Sequence, residues 1–184
     1  MAGSRGLFPI PAELGKMSSW VLYLLMFLVG MGIGGDENSL NILKESSLKI
    51  ILVPLAVIAG SLGGAALLSL VFHSMPLDEI LAVSAGFGYY SLSSLFITEL
   101  RGETAGTIAL LANIMREIFT LLASPFLARY TGPLGPIASG GATSMDTSLP
   151  IITLYSGPSY VLVSLFSGIV LTIAVPFLVP FLLA

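Results

Sequence analysis

Three stretches of this chain carry no charged residue over a length matched to the hydrocarbon thickness of a bilayer: Ser18 to Gly34, Ile50 to Phe72 and Tyr160 to Leu183. At 1.5 Å of rise per residue, helices of this length cross an apolar core of about 30 Å. A helix is also the one structure that satisfies the backbone of a single isolated segment there. These runs therefore commit the chain to an all-α polytopic membrane fold. Composition agrees, with 55% hydrophobic and 9% charged residues, where a soluble domain carries about a quarter charged. The absence of cysteine and the single histidine, His73, exclude disulfides, thiolate or histidine-cluster metal sites and haem ligation, so no cofactor is expected. A net charge of -3 offers no basic stripe for nucleic acid or anionic headgroups.

The segments between these runs add membrane-length pieces that are not regular. Residues 1–17, with Gly3, Gly6, Pro9 and Pro11, lack the apolar core and cleavage site of a signal peptide and read as an N-terminal interfacial segment. Residues 18–184 read as one transmembrane domain. After the polar connection from Asp36 to Lys49, the second span and the Pro76-Leu-Asp-Glu79 helix start, the segment 80–98 is interrupted by Gly86, Gly88 and a serine cluster. It either crosses in broken form or re-enters. Thr104 to Leu127 reads as a further helix bounded by Arg129. Thr131 to Gly141, with its run of Gly and Pro, is a poor prescription for a regular helix, and Pro136 to Tyr155 reads as a discontinuous one. The expectation is five to six membrane segments, two of them discontinuous or re-entrant, with Pro176 and Pro180 bending the end of the last. Basic residues divide three against three across the membrane under either topology (Arg5, Lys16 and Arg129 or Arg101 against the rest), so they set no orientation.

Within these spans a few residues stand out. Arg116 and Glu117 lie about thirteen residues from both Glu103 and Arg129, roughly 20 Å from either helix end. Neither can snorkel that far, and each charged group at a helix centre costs roughly 2.5–3.5 kcal/mol on insertion scales. Asn113 lies one turn before Glu117, and Thr120 and Ser124 continue its stripe. A structural ion pair to another helix is the plainer account; a substrate or proton site is the functional one. Asp146 is a third charge at membrane depth, in the Gly/Ser/Thr-rich break, and it reads as a cap, a site or both. Broken helices with exposed N–H groups bind anionic substrate groups in many transporters. Ser139 to Ser144, with Gly141, Thr143 and Ser144, is expected to supply such an end. Gly86, Gly88 and Ser91 are expected to supply a second irregular wall, with Tyr89 packing on an aliphatic stem or cation. Gly30-x-x-x-Gly34 and Gly60-x-x-x-Gly64 fit close helix contact; Trp20, Tyr23, Tyr130 and His73 fit interfacial positions. An intramembrane hydrolase finds no support, since the G-x-S-x-G and H-E-x-x-H motifs are absent and Asp146 has no matching aspartate. The chain reads as a transporter and not an enzyme, with an accessory subunit that scaffolds a separate transport chain as the alternative.

The runs Ser84-Ala-Gly-Phe-Gly-Tyr-Tyr-Ser-Leu-Ser93, Thr98-Glu99, Asn113-Ile-Met-Arg-Glu117 and Gly140-Gly-Ala-Thr-Ser-Met-Asp-Thr-Ser-Leu-Pro150 resemble the matching stretches of the lysine exporter (LysO) family of prokaryotic inner membranes. The G-A-T-S-M-D motif is the most specific, and order and spacing agree over roughly residues 18 to 184. The resemblance implies export of L-lysine and its toxic thioether analogue from the cell, with the acidic residue matching Glu117 required. Typical family members are longer, and this chain is similar to their C-terminal portion. The resemblance therefore also implies a companion polypeptide carrying the N-terminal part, with its own acidic residue, or a self-sufficient homo-oligomer. A monocation leaving against an inside-negative potential needs a coupling cation, H+ in the first instance and Na+ in the second.

Overall fold

The computed structural model describes residues 47–71 and 75–184. The N-terminal segment 1–17, the span Ser18 to Gly34 with its glycine pair, Trp20, Tyr23, the connection from Asp36 to Lys44 and His73 lie outside the described residues. Within them every element is helical. The first, α1 (Ser47–Ser69), is apolar along its length and contains Pro54. α2 (Leu77–Ser84) begins behind Pro76 with Asp78 and Glu79 in its first turn, where carboxylates meet the positive end of the helix dipole. The chain then leaves the helix and resumes as α3 (Tyr90–Arg101), and Gly102 at φ 92° turns it into α4 (Glu103–Thr131). α3 and α4 form a close antiparallel hairpin. Gly106 faces Thr98 and the Ser94 carbonyl, and any Cβ there would collide with the Thr98 side chain.

Beyond Gly132 come α5 (Leu134–Gly140), a 3-10 turn over Gly141–Met145, α6 (Leu149–Ser156) and a short 3-10 turn at Pro158–Tyr160. α7 (Val161–Leu183) closes the chain and continues through Pro176 and Pro180. Three helical stretches are long and apolar enough to cross a membrane: Ile50–Ser69, Glu103–Thr131 and Pro158–Leu183. One expectation needs correcting. The Gly/Pro-rich stretch 131–141 is helical from Leu134 onward, because Pro136 sits in the first turn of α5, where no intrahelical partner awaits its missing N–H.

Packing sorts the residues by face. α7 brings Leu171, Val175 and Val179 against Phe87, Ala142, Ala105 and Ala109 in the larger apolar cluster. Ile50, Val53, Ile137, Ile152 and Val163 form a second cluster. α4 turns Ala105, Ala109, Asn113, Thr120 and Ser124 inward, and leaves Leu111, Met115, Ile118, Phe119, Leu122 and Phe126 exposed on its other side. The polar stripe of α4 is thus the inner one, the reverse of a water-soluble helix.

Candidate functional site

The two interruptions meet each other beside the middle of α4. Between α2 and α3, Phe87 adopts φ 47° and Gly88 φ 97°, a left-handed conformation that costs a non-glycine residue roughly 1–2 kcal/mol. Phe87 is nevertheless fully buried, and the turn frees its carbonyl to accept a hydrogen bond from the Ala142 N–H at 2.8 Å. Ala142 follows Gly141 at φ 62°, a position where a Cβ would run into the Phe87 carbonyl. Gly88 likewise faces the Gly140 carbonyl, 3.0 Å from where its own Cβ would lie. Glycine at 88 and 141 therefore allows one main chain to touch the other.

α4 holds both breaks through residues three positions apart. The Asn113 side-chain oxygen accepts from the Gly88 N–H at 2.8 Å, while its amide donates to the Val83 carbonyl at 3.1 Å and the Ala109 carbonyl at 2.9 Å. Arg116 grips the other break: Nε donates to the Ser139 carbonyl at 2.9 Å and Nη2 to the Ala138 carbonyl at 3.1 Å, with Nη1 on the Ser61 hydroxyl at 3.0 Å. A cation on the last carbonyls of α5 complements the negative end of that helix. Residues 139–144 are thus the carboxyl end of α5 and the turn after it, and not the helix N-terminus expected from their composition; the following N-terminus comes at Leu149. Thr120 extends the same seam with a hydroxyl pair to Ser139 at 2.7 Å.

The remaining residues singled out from the sequence divide into several groups. Thr143 and Ser144 are buried and internally bonded, Thr143 to the Gly140 carbonyl and the Ser148 hydroxyl, Ser144 to the Gly141 and Ser164 carbonyls. The Ser164 hydroxyl returns a bond to the Ser144 carbonyl at 2.7 Å, tying the turn to α7. Asp146 accepts from the N–H and hydroxyl of Thr147, a bond to the next residue only; α6 starts behind Ser148 with no side-chain cap. Tyr89 packs partly buried on the larger apolar cluster, whereas Ser91 is exposed on α3. Glu117 has no hydrogen-bond or ion-pair partner among the described residues. At 100° per residue, Arg116 stands about 60° to one side of Asn113 and Glu117 about 40° to the other, so the two flank the stripe rather than pair across it.

A cleft of about 400 Å³ opens on the Arg116 side, between Gly60, Ser61, Gly64 and Leu68 of α1, Ile80, Val83 and Ser84 of α2, and Asn113 and Arg116 of α4. A Cβ added at Gly60 or Gly64 would meet nothing within 4 Å among the described residues; the two glycines line an opening where their spacing predicts a tight helix contact. Ser61 and Ser164 escaped sequence reading, because an isolated serine in an apolar run carries no signal of its partner. No group of carboxylates and histidines able to hold a metal occurs among the described residues.

A family description reading "Lysine exporter LysO" matches residues 2–183. The chain belongs to the lysine exporter family. A lysine exporter from Escherichia coli (strain K12) is 30% identical over 166 residues, which are 90% of this chain and 54% of that protein. A Haemophilus influenzae protein, provisionally named a lysine exporter, is 32% identical over 163 residues, 88% of this chain and 82% of its own. The chain thus spans about half the length of the Escherichia coli relative. No solved structure matches it. As a member of the lysine exporter family with three helices of spanning length, it is a membrane protein.

Proposed function

We propose that this chain exports L-lysine across the cell membrane in exchange for an inward proton, with Glu117 as the carboxylate that takes up and releases the exchanged cation. The observation that carries this reading is a carboxylate at mid-span with no partner among the described residues, beside the place where two helix breaks touch, in a chain of the lysine exporter family. Irregular backbone at membrane depth persists where protein or a water-filled path covers it, and broken helices meeting at the midplane are a recurrent way to build such a path. In this reading the segments 80–98 and 136–155 enter the membrane as two discontinuous elements, giving five to six membrane segments with the span from Ser18. Gly141, Thr143 and Ser144 keep the crossing in shape, and Asp146 and Tyr89 border the path. Because the chain spans 54% of the Escherichia coli relative, we assign the other wall of the path to a companion chain or a second copy.

The test is Glu117→Gln in a strain lacking its own lysine exporter, with the companion reading frame co-expressed. Loss of export and of resistance to the toxic lysine analogue, at unchanged membrane level, is the expected result. Normal export by this variant would remove Glu117 from the mechanism.

A further inference from the structure

We infer that the cleft between α1, α2 and α4 receives the carboxylate of the exported amino acid, with Arg116 as its cation; this rests on the lysine-export reading. Arg116 sits at mid-span without a carboxylate partner among the described residues, where the ion pair formed is Asp78–Arg101. A cation removed from water needs a counter-charge as well as hydrogen bonds, and carbonyls alone supply only the second. Three of its five N–H groups are engaged with Ser139, Ala138 and Ser61, which leaves one on each terminal nitrogen. The Ser61 hydroxyl accepts from Arg116 and donates to nothing among the described residues, so its proton is free for an anion. A guanidinium N–H and a hydroxyl side by side match the two oxygens of a carboxylate.

The rest of the cleft suits the rest of an amino acid. Its volume of about 400 Å³ falls in the usual range for small-ligand sites. Ala65, Leu68, Ile80 and Val83 give it apolar walls, against which the aliphatic stem of lysine would lie. Gly60 and Gly64 keep the space clear. Glu117 is on the other side of the Asn113 stripe and does not line the cleft, so the anion site and the cation-exchange site are separate surfaces of one helix. Coupling then passes through the crossing of the breaks, which Asn113 and Arg116 both hold.

Arg116 also secures α5, so the decisive variants are glycines. A Cβ at Gly64 meets no described neighbour within 4 Å, so Gly64→Leu projects its side chain into the cleft, and Gly63→Leu adds the same side chain one position along α1, at a residue that does not line it. In inside-out vesicles, Gly64→Leu is expected to lower labelled-lysine uptake at least about tenfold, while Gly63→Leu stays within about twofold of the unaltered protein. Cadaverine and lysinamide, which lack the carboxylate, are expected to compete at least about tenfold less well than lysine. Undiminished transport by Gly64→Leu, or equal competition by cadaverine, overturns the cleft assignment and leaves lysine export standing. Vesicles that hold the unaltered protein together with the co-expressed companion and move no lysine overturn both.

Discussion

At the scale of single residues, α4 works through the side chains that point inward at its middle. Asn113 satisfies the Gly88 N–H and the Val83 carbonyl together, and leaving either buried group unpaired costs about 1–3 kcal/mol. Asn113→Ala is therefore expected to lower thermal stability in detergent by that order, measured by near-ultraviolet circular dichroism. Asn113→Asp keeps the acceptor for Gly88 but presents an oxygen to the Val83 and Ala109 carbonyls, so it is expected to rescue little at neutral pH. Gly141→Ala forces a side chain into left-handed backbone against the Phe87 carbonyl and is expected to lose more than about 2 kcal/mol. Gly63→Ala on α1 meets nothing within 4 Å among the described residues and is expected to gain up to about 1 kcal/mol from helix propensity. Asn113, Arg116 and Glu117 were legible in the sequence as polar groups too deep to snorkel. Their partners were not, since four of the six groups that Asn113 and Arg116 hold are main-chain carbonyls, of residues 83, 109, 138 and 139, and a carbonyl leaves no trace in the amino-acid code.

At the scale of elements, charge marks four helix ends, all on α2, α3 and α4. Asp78 and Glu79 open α2, Arg101 ends α3, Glu103 opens α4 and Arg129 lies in its last turn. These boundaries were readable because ionised groups collect where a helix leaves the apolar layer. α5 was not, because Gly and Pro lower helix propensity in general, while Pro136 occupies the one turn that tolerates it. Where α2 begins and α3 and α7 end, Arg101 donates to Asp78 at 2.7 Å and to the Leu183 carbonyl at 3.0 Å. The hydrogen bond from Arg101 holds the Asp78 carboxyl below the ordinary aspartate value of 3.8. A lowered carboxyl pKa adds stability above the unfolded value and loses it as pH falls through the folded one. Asp78→Asn is accordingly expected to show a small deficit in thermal stability at pH 7 that shrinks as pH falls below 3.8. The deficit stays small because both groups are about a third or more exposed; a deficit that does not shrink on acidification would assign Asp78 another role.

At the scale of the whole molecule, the exposed face of α4 sets the surroundings. Met115 and Phe119 are 68% and 58% exposed, one residue before Arg116 and two after Glu117. Met115→Lys is expected to cost roughly 2.5–3.5 kcal/mol of insertion, seen as protein lost from the membrane fraction, although the natural charge next to it is tolerated. Transport itself is expected to follow charge accounting. An exported monocation works against about 2.3 kcal/mol per 100 mV, and one inward proton per lysine cancels that term. Liposomes holding lysine are expected to release it when the outside is made acidic and to stop when the gradient collapses; release driven by sodium and not by protons would reject the proton. The contact between the two breaks has a consequence of another kind. It joins the amide of Ala142 to the carbonyl of Phe87, atoms that every residue but one possesses in full. Genetic drift can replace either side chain without deleting the bond, and only proline at position 142 erases its donor. Mutation reaches this joint mainly through the clearance around it, so the vulnerable letters are the neighbouring glycines at 88 and 141 rather than the two residues that are bonded.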